Sequence, residues 1–376
     1  MKKIQMVDLT TQYKKIKKEI DKAINEVFAS ACFIRGEKVK EFSNNLASYM
    51  NCKHIIPCGN GTDALQIAIM ALDLKPSDEI IVPDFTFISS AEVIGLLKYH
   101  PVLVDVDKDS FCVTKKNIEQ AISVKTKAII PVHLFGQAAD MEDIMEIAEK
   151  YNLYVIEDNA QALGGDYLFK DGTTKKLGTI GTIGCTSFFP SKNLGCYGDG
   201  GALFTNDDDL AEKISMITNH GSRKKYYHEI LGINSRLDTI QAAVLDIKLK
   251  YLNDYISSRQ KAAHYYDEGL KDIENIITPK TKPCSVHTYH QYTLQVLDNK
   301  RDELKEFLNR NDIPAMIYYP VPLHKQEAFL QIARQGSDLS ISENLAKNVL
   351  SLPMHTELDK EQQDYIIVKI HEFFNK

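Results

Sequence analysis

Between about residues 55 and 206, short apolar runs alternate with stretches whose apolar residues return at helical spacing. The runs 78–83 (DEIIVP), 101–107 (PVLVDVD), 127–133 (KAIIPVH), 153–158 (LYVIED) and 200–206 (GGALFTN) show little polar alternation. That texture predicts strands covered on both faces, in a parallel or mixed sheet under helices. In 140–152, Met141, Ile144, Met145 and Ala148 fall on one helical stripe behind Asp140, a natural N-cap. A second helix is predicted over 63–74, directly behind the turn Gly59-Asn60-Gly61-Thr62. Repeated strand–helix–strand order predicts a doubly wound α/β domain.

After about residue 250 the pattern changes. Residues 252–270 are charged and tyrosine-rich, as in a long helix leaving the large domain. A strand over 290–296, an amphipathic helix near 302–309 and a Pro-studded loop around 318–323 follow. The expectation is a large α/β domain over 1–250, with an N-terminal helical segment, and a smaller α+β domain over 251–376. No internal repeat or long linker interrupts them.

A chain of 376 residues fits one large and one smaller core. Its 44% hydrophobic and 26% charged residues are those of an ordinary globular protein. A formal net charge of -6 argues against nucleic acid as a partner and leaves room for a local basic patch. The first residues lack the apolar core of a signal peptide. No run approaches the roughly 18 apolar residues that span a bilayer, so no membrane insertion is expected. Seven cysteines (Cys32, Cys52, Cys58, Cys112, Cys185, Cys196, Cys284) without CxxC spacing suit reduced thiols in the cytoplasm, with neither disulfides nor a bound metal.

Four segments carry candidate chemistry. Gly59-Asn60-Gly61-Thr62, at a helix start, could bind phosphate through backbone N–H groups, or could be turn geometry alone. Glu157-Asp158-Asn159-Ala160-Gln161 stands at the carboxyl end of an apolar strand, where ligands of open α/β sheets gather; it could equally be a solvated strand end. Lys192, behind Thr186-Ser187-Phe188-Phe189-Pro190-Ser191, could be a desolvated amine fit for Schiff-base chemistry, or a snorkelling loop lysine. Asn234 and Arg236 precede a helical run over 239–249, where capping and ion pairs also explain them.

In this order and spacing the segments resemble the nucleotide-sugar aminotransferases of the DegT/DnrJ/EryC1/StrS family, which have the aspartate-aminotransferase fold (fold type I). The resemblance runs from Val7 to His355 and rests chiefly on PVHLFGQ, IEDNAQA, TSFFPSKNLGCYGDGGALFTNDD, NHG and INSRLDTIQAA. It implies pyridoxal 5'-phosphate (PLP) as cofactor, with pyridoxamine phosphate as its mid-cycle form. Lys192 then matches the Schiff-base lysine and the proton-transfer base, and Asp158 the partner of the pyridine nitrogen. Gln161 matches the residue facing the ring hydroxyl, and Phe87 the aromatic that stacks on the ring. Gly61, Thr62 and Ser187 match phosphate contacts. Asn234 matches a phosphate ligand from a neighbouring subunit, which implies a homodimer. Asn159 departs from the small residue usual at its position.

The resemblance further implies L-glutamate as amino donor and a nucleotide-linked keto-sugar as acceptor. It is nearest the branch that aminates C3 of UDP-2-acetamido-2-deoxy-3-oxo-glucuronate for lipopolysaccharide O-antigens. The extra carboxylate of a uronate is a target for Arg236, which could instead brace its own loop. Tyr318, Tyr319 and His324 are candidates for the substrate wall. Tyr318 stands where histidine is common, which keeps open a dTDP-3-keto-6-deoxyhexose 3-aminotransferase and, after it, a 4-keto-sugar enzyme. A non-catalytic PLP-binding regulator and a cysteine desulfurase using Cys196 are the rivals from other classes. His133 is expected to be structural.

Overall fold

The computed structural model describes residues 2–375 and is built around one eight-stranded sheet. Its order is His54–Cys58, Gly201–Thr205, Ile183–Ser187, Tyr154–Asp158, Thr126–Ile129, Glu79–Pro83, His100–Val104 and Arg334–Gln335. Every neighbouring pair is parallel except the two made by Gly201–Thr205, which runs against its neighbours. All five predicted runs are strands. Their buried Ile, Val, Leu and Ala side chains form the cores on both faces, as near-continuous apolar runs require.

Three strands of this sheet lacked a sequence signal: His54–Cys58, Ile183–Ser187 and the two-residue Arg334–Gln335. His54–Cys58 is only half-buried along most of its length. Ile183–Ser187 is spelled IGCTS, short of branched apolar residues because space forbids them. A Cβ at Gly184 would lie 1.9 Å from the Gly178 carbonyl oxygen. The helix Met141–Tyr151 buries Met141, Ile144, Ile147 and Ala148, and Met145 packs partly buried against the same core. Asp140 holds the N-cap position, but its carboxylate accepts from the Tyr167 hydroxyl at 2.7 Å and not from the helix backbone.

A second, antiparallel sheet joins Ile276–Ile277, Tyr292–Val296 and Val349–Leu352. The helices Leu252–Leu270, Arg301–Arg310 and Lys360–Phe374 supply its core partners, among them Tyr266, Leu304 and Ile366. Helix Leu252–Leu270 serves both cores: Leu252 and Ile256 pack with Phe42 and Phe188, and Ala263, Tyr266 and Leu270 with the small sheet.

The chain crosses between the two cores near both of its ends. Ile4 packs into the small core. Leu323 and Phe329 pack under the large sheet, which Arg334–Gln335 extends beside His100–Val104. Arg334 there forks onto Glu79 at 3.2 and 2.8 Å. Among the described residues, no helix is long and apolar enough to cross a membrane, and no group of side chains could hold a metal ion.

Candidate active site

Because the inner strands are parallel, their carboxyl ends open along one edge of the sheet, where open α/β folds bind ligands. Helix Gly61–Met70 begins there. The Asn60 side chain caps it by accepting from Asp63 N at 2.8 Å, and the first helical N–H groups, at Gly61 and Thr62, have no intrahelical partner. A Cβ at Gly61 would stand 2.7 Å from the Ser187 Cβ, so only glycine lets helix start and strand end meet. The result is a cradle of backbone donors and a hydroxyl, suited to a phosphate.

Beside it lies a cavity of about 440 Å³, of the size small-molecule sites take. Gly61, Thr62, Asp158, Gln161, Ser187 and Lys192 line it, and so do Phe87, Tyr318 and Tyr319. Asp158 closes its strand with a carboxylate only 5% exposed. One oxygen accepts from Ser90 Oγ at 2.7 Å and the other from Ala160 N at 3.1 Å, which fixes its orientation.

The Gln161 amide is fixed at both ends. Its oxygen accepts from Phe135 N at 2.8 Å and its nitrogen donates to the Tyr319 hydroxyl at 3.1 Å. Phe135 adopts left-handed backbone (φ 57°), an uncommon conformation for this residue. Gln161 keeps a second N–H for the cavity, and Tyr319, accepting here, has its own proton free. Burial raises the Tyr319 pKa, so it remains a phenol. Phe87 is 52% exposed at the cavity rim, although its ring lies 6.1 Å from that of Tyr319. An aromatic half in solvent above a polar floor is placed to cover a flat ligand.

Lys192 reaches the same cavity. Burial lowers its pKa to about 8, against the opposing pull of the Asp158 charge. Its Nζ lies 3.5 Å from His290 Nε2. An amine of depressed pKa, a fixed carboxylate, a rim aromatic and an anion cradle fit PLP part by part: Lys192 for the aldehyde, Asp158 for the ring nitrogen, Phe87 for the ring face, and Gly61, Thr62 and Ser187 for the phosphate.

Three expected site residues lie elsewhere. Asn234 is exposed, bridged to Asn219. Arg236 lines a separate cavity of about 170 Å³ with Arg35, whose pKa is lowered by burial and by Arg236. Ser235 between them accepts from Gly59 N at 2.8 Å and donates to Asp63 at 2.6 Å, so this loop braces the Gly-rich turn from behind. His324 is a clamp: Nδ1 stands 2.7 Å from Asp84 Oδ2, Nε2 3.2 Å from Glu343, and its backbone N–H donates to Asp84 Oδ1. Those carboxylates engage both ring nitrogens, and His324 does not line the cavity.

Cys196 is buried outside the cavity, donates to backbone carbonyls at 3.0 Å, and has its pKa pushed up to about 11, chiefly by burial. His133 is buried with both nitrogens engaged, by Glu157 at 2.9 Å and Ala139 N at 3.1 Å. Sequence reasoning missed Ser90 and His290. Ser90 sits 68 positions from the carboxylate it orients, and nothing local marks it.

The model of the DegT/DnrJ/EryC1/StrS aminotransferase family matches residues 14–371. A pleiotropic regulatory protein of Geobacillus stearothermophilus is 46% identical over 373 residues, 99% of this chain and 98% of its own. The UDP-2-acetamido-2-deoxy-3-oxo-D-glucuronate aminotransferase of Pseudomonas aeruginosa is 44% identical over 356 residues, 95% of this chain and 96% of its own. Among solved structures, DesV of S. venezuelae, in complex with a ketimine intermediate, matches with a TM-score of 0.95 at 36% identity, covering 100% of both chains.

Proposed function

The chain belongs to the DegT/DnrJ/EryC1/StrS aminotransferase family and is a PLP-dependent sugar aminotransferase, and from that premise we propose that it aminates C3 of a UDP-linked 3-keto-sugar. The proposed acceptor is UDP-2-acetamido-2-deoxy-3-oxo-glucuronate, the donor L-glutamate, and the product a precursor of surface glycan. The observation that carries the chemistry is the Lys192 amine, its pKa lowered to about 8, in one cavity with the oriented Asp158 carboxylate. The acceptor is supported by the Pseudomonas relative, similar over 95% of this chain.

Bound PLP supplies an electron sink for the carbon that carries the migrating nitrogen. The chain's residues do the rest. Gly61 and Thr62 N–H groups and the Ser187 hydroxyl would hold the phosphate. Phe87 would cover one ring face. Asp158, held by Ser90 and Ala160, would accept the ring N–H and so favour the protonated nitrogen. Gln161 would donate its free N–H to the ring hydroxyl. Lys192 Nζ would take a proton from the amino-bearing carbon and deliver it to the carbon on the other side of the migrating nitrogen, a 1,3-shift that suits an amine whose pKa lies near the working pH.

Asn234 and Arg236 stand outside their own cavity, and we assign them to the cavity of a second copy in a homodimer. There Asn234 of the partner subunit would meet the phosphate and Arg236 of the partner subunit the sugar carboxylate. Tyr318, on the cavity wall in place of histidine, favours a second reading: a dTDP-linked 3-keto-6-deoxyhexose as acceptor.

Adding L-glutamate to the purified protein is expected to replace the long-wavelength absorption of lysine-bound cofactor by the shorter-wavelength absorption of its amine form. Lys192→Ala should show neither change. Competing the two keto-sugars should favour the UDP-uronate by about a hundredfold in kcat/KM. A preference for the dTDP-hexose would establish the second reading. A cofactor indifferent to every amino donor would leave a PLP-binding protein without turnover.

A further inference from the structure

Most buried side chains around the cavity have their polar atoms accounted for. His290 does not. It lines the cavity, is buried, and its Nε2 has one polar neighbour, Lys192 Nζ at 3.5 Å. Its Nδ1 is buried without a hydrogen-bond partner among the described residues. His133 and His324 engage both ring nitrogens; His355, outside the cavity, also leaves its Nε2 unpaired, so what sets His290 apart is an unpaired ring beside Lys192 in the cavity. A buried polar ring with no bond to the scaffold costs stability, and such exceptions are often functional.

The backbone holds this ring where it is. The buried Arg259 guanidinium donates through one nitrogen to three carbonyls, of Tyr289 (3.1 Å), His290 (3.3 Å) and Met354 (3.0 Å). Asn193, the residue after Lys192, donates its amide to Thr288 O at 3.2 Å. Gln291 N donates to Phe135 O at 3.3 Å, beside the peptide that orients Gln161. The segments bearing Lys192, Gln161 and His290 are thereby tied together.

We propose that His290 is a positioning residue for Lys192: its neutral Nε2 accepts an N–H of the freed amine, aims that nitrogen at the reacting carbon, and steadies the ammonium while it holds the proton. The proposal rests on the aminotransferase reading of the site and deepens it. One proton passes onto Lys192 Nζ from the amino-bearing carbon and leaves Nζ for the carbon across the migrating nitrogen; His290 never carries it. Burial, with the charges of Lys192 and Arg259, drives the His290 pKa well below its ordinary value, so the ring stays an acceptor. Around the pair stand Asp158 facing Lys192, Arg259 behind His290, and Asp199, Tyr318 and Tyr319 on the cavity wall. Of these, Asp158 alone acts appreciably on the Lys192 charge and favours it.

The test has two readouts on the full-length protein. The first is the pH dependence of Lys192 acylation by acetic anhydride in the cofactor-free chain, followed by peptide mass spectrometry. The second is the pH profile of the glutamate half-reaction in the holoenzyme. His290→Leu is expected to lower the Lys192 acylation midpoint by about one pH unit, to move the acid limb of the rate profile the same way, and to slow the half-reaction about tenfold. His290→Gln, whose amide oxygen can accept at similar reach, should restore both. His290→Asn, too short to reach, should behave as His290→Leu and keeps the test readable should the leucine variant not fold. Midpoints that coincide in wild type and both acceptor-free variants would overturn the proposal, and so would a glutamine variant that rescues neither readout. The acylation midpoint does not depend on which sugar is aminated, so its failure is distinct from a wrong acceptor.

Discussion

Lys248 shows how far one residue's surroundings can depart from its sequence context. In TIQAAVLDIKL it reads as a cation in the last turn of a helix, where the dipole favours it. In the fold it is 1% exposed, donates to Gly195 O at 2.5 Å, faces the Tyr197 ring, and pairs with no acid among the described residues. Burial lowers its pKa to about 8, below the unfolded value near 10.4. Between those values the unfolded chain holds a proton that the folded chain does not, so stability rises with pH. Wild type is therefore expected to gain on the order of 1–2 kcal/mol over Lys248→Met between about pH 7 and 9.5, followed by urea unfolding at each pH. The same burial acts on Lys192, where a lowered pKa serves chemistry. Both lysines are legible as lysines, but their environments come from residues distant in the chain.

Among elements, helix Gly61–Met70 and strand Ile183–Ser187 make the sharpest contrast. The helix was readable because Gly59-Asn60-Gly61-Thr62 places a turn and a cap ahead of an apolar run. The strand was not, because its glycine and small residues are demanded by the contact of Gly184 with Gly178 and not by strand propensity. Where the two elements meet, Gly61 has no room for a side chain. Gly61→Ala is expected to push Ser187 aside and weaken PLP binding about tenfold, measured by titrating the cofactor-free protein with PLP. Recovery of wild-type affinity would mean that the strand end moves freely.

Across the whole molecule, a segment past residue 250 returns to the large sheet, and Asp84–His324–Glu343 is its latch. The loop it holds carries Tyr318 and Tyr319 to the cavity wall. Burial raises the Asp84 pKa, while His324 favours its charged form. His324→Ala leaves that carboxylate buried without its partner and should cost about 2–4 kcal/mol. Glu343→Gln, on the more exposed side, should cost less than about 1 kcal/mol. A carboxyl of raised folded pKa favours folding at low pH and loses that contribution as pH rises. The His324→Ala deficit should therefore shrink as the pH is lowered, in denaturant unfolding followed across pH. A deficit independent of pH would mean that Asp84 is not the group left stranded.

What the amino-acid order determined by itself is the alternation that makes the α/β sheet, the long helix between the two cores, and the segments around Gly61, Asp158, Ser187 and Lys192 as candidates for chemistry. These depend on periodicity and on short stretches of consecutive residues, and both are local properties. What required the folded chain is how distant residues converge. Ser90 comes to Asp158 from 68 positions away, His290 to Lys192 from 98, and Asp84 to His324 from 240. It also required the fold to find Arg236 beside Arg35 and apart from Lys192. Side-chain partners of this kind follow from strand order and domain packing, which no window of sequence encodes, because each contact is set by the summed geometry of all the elements between them.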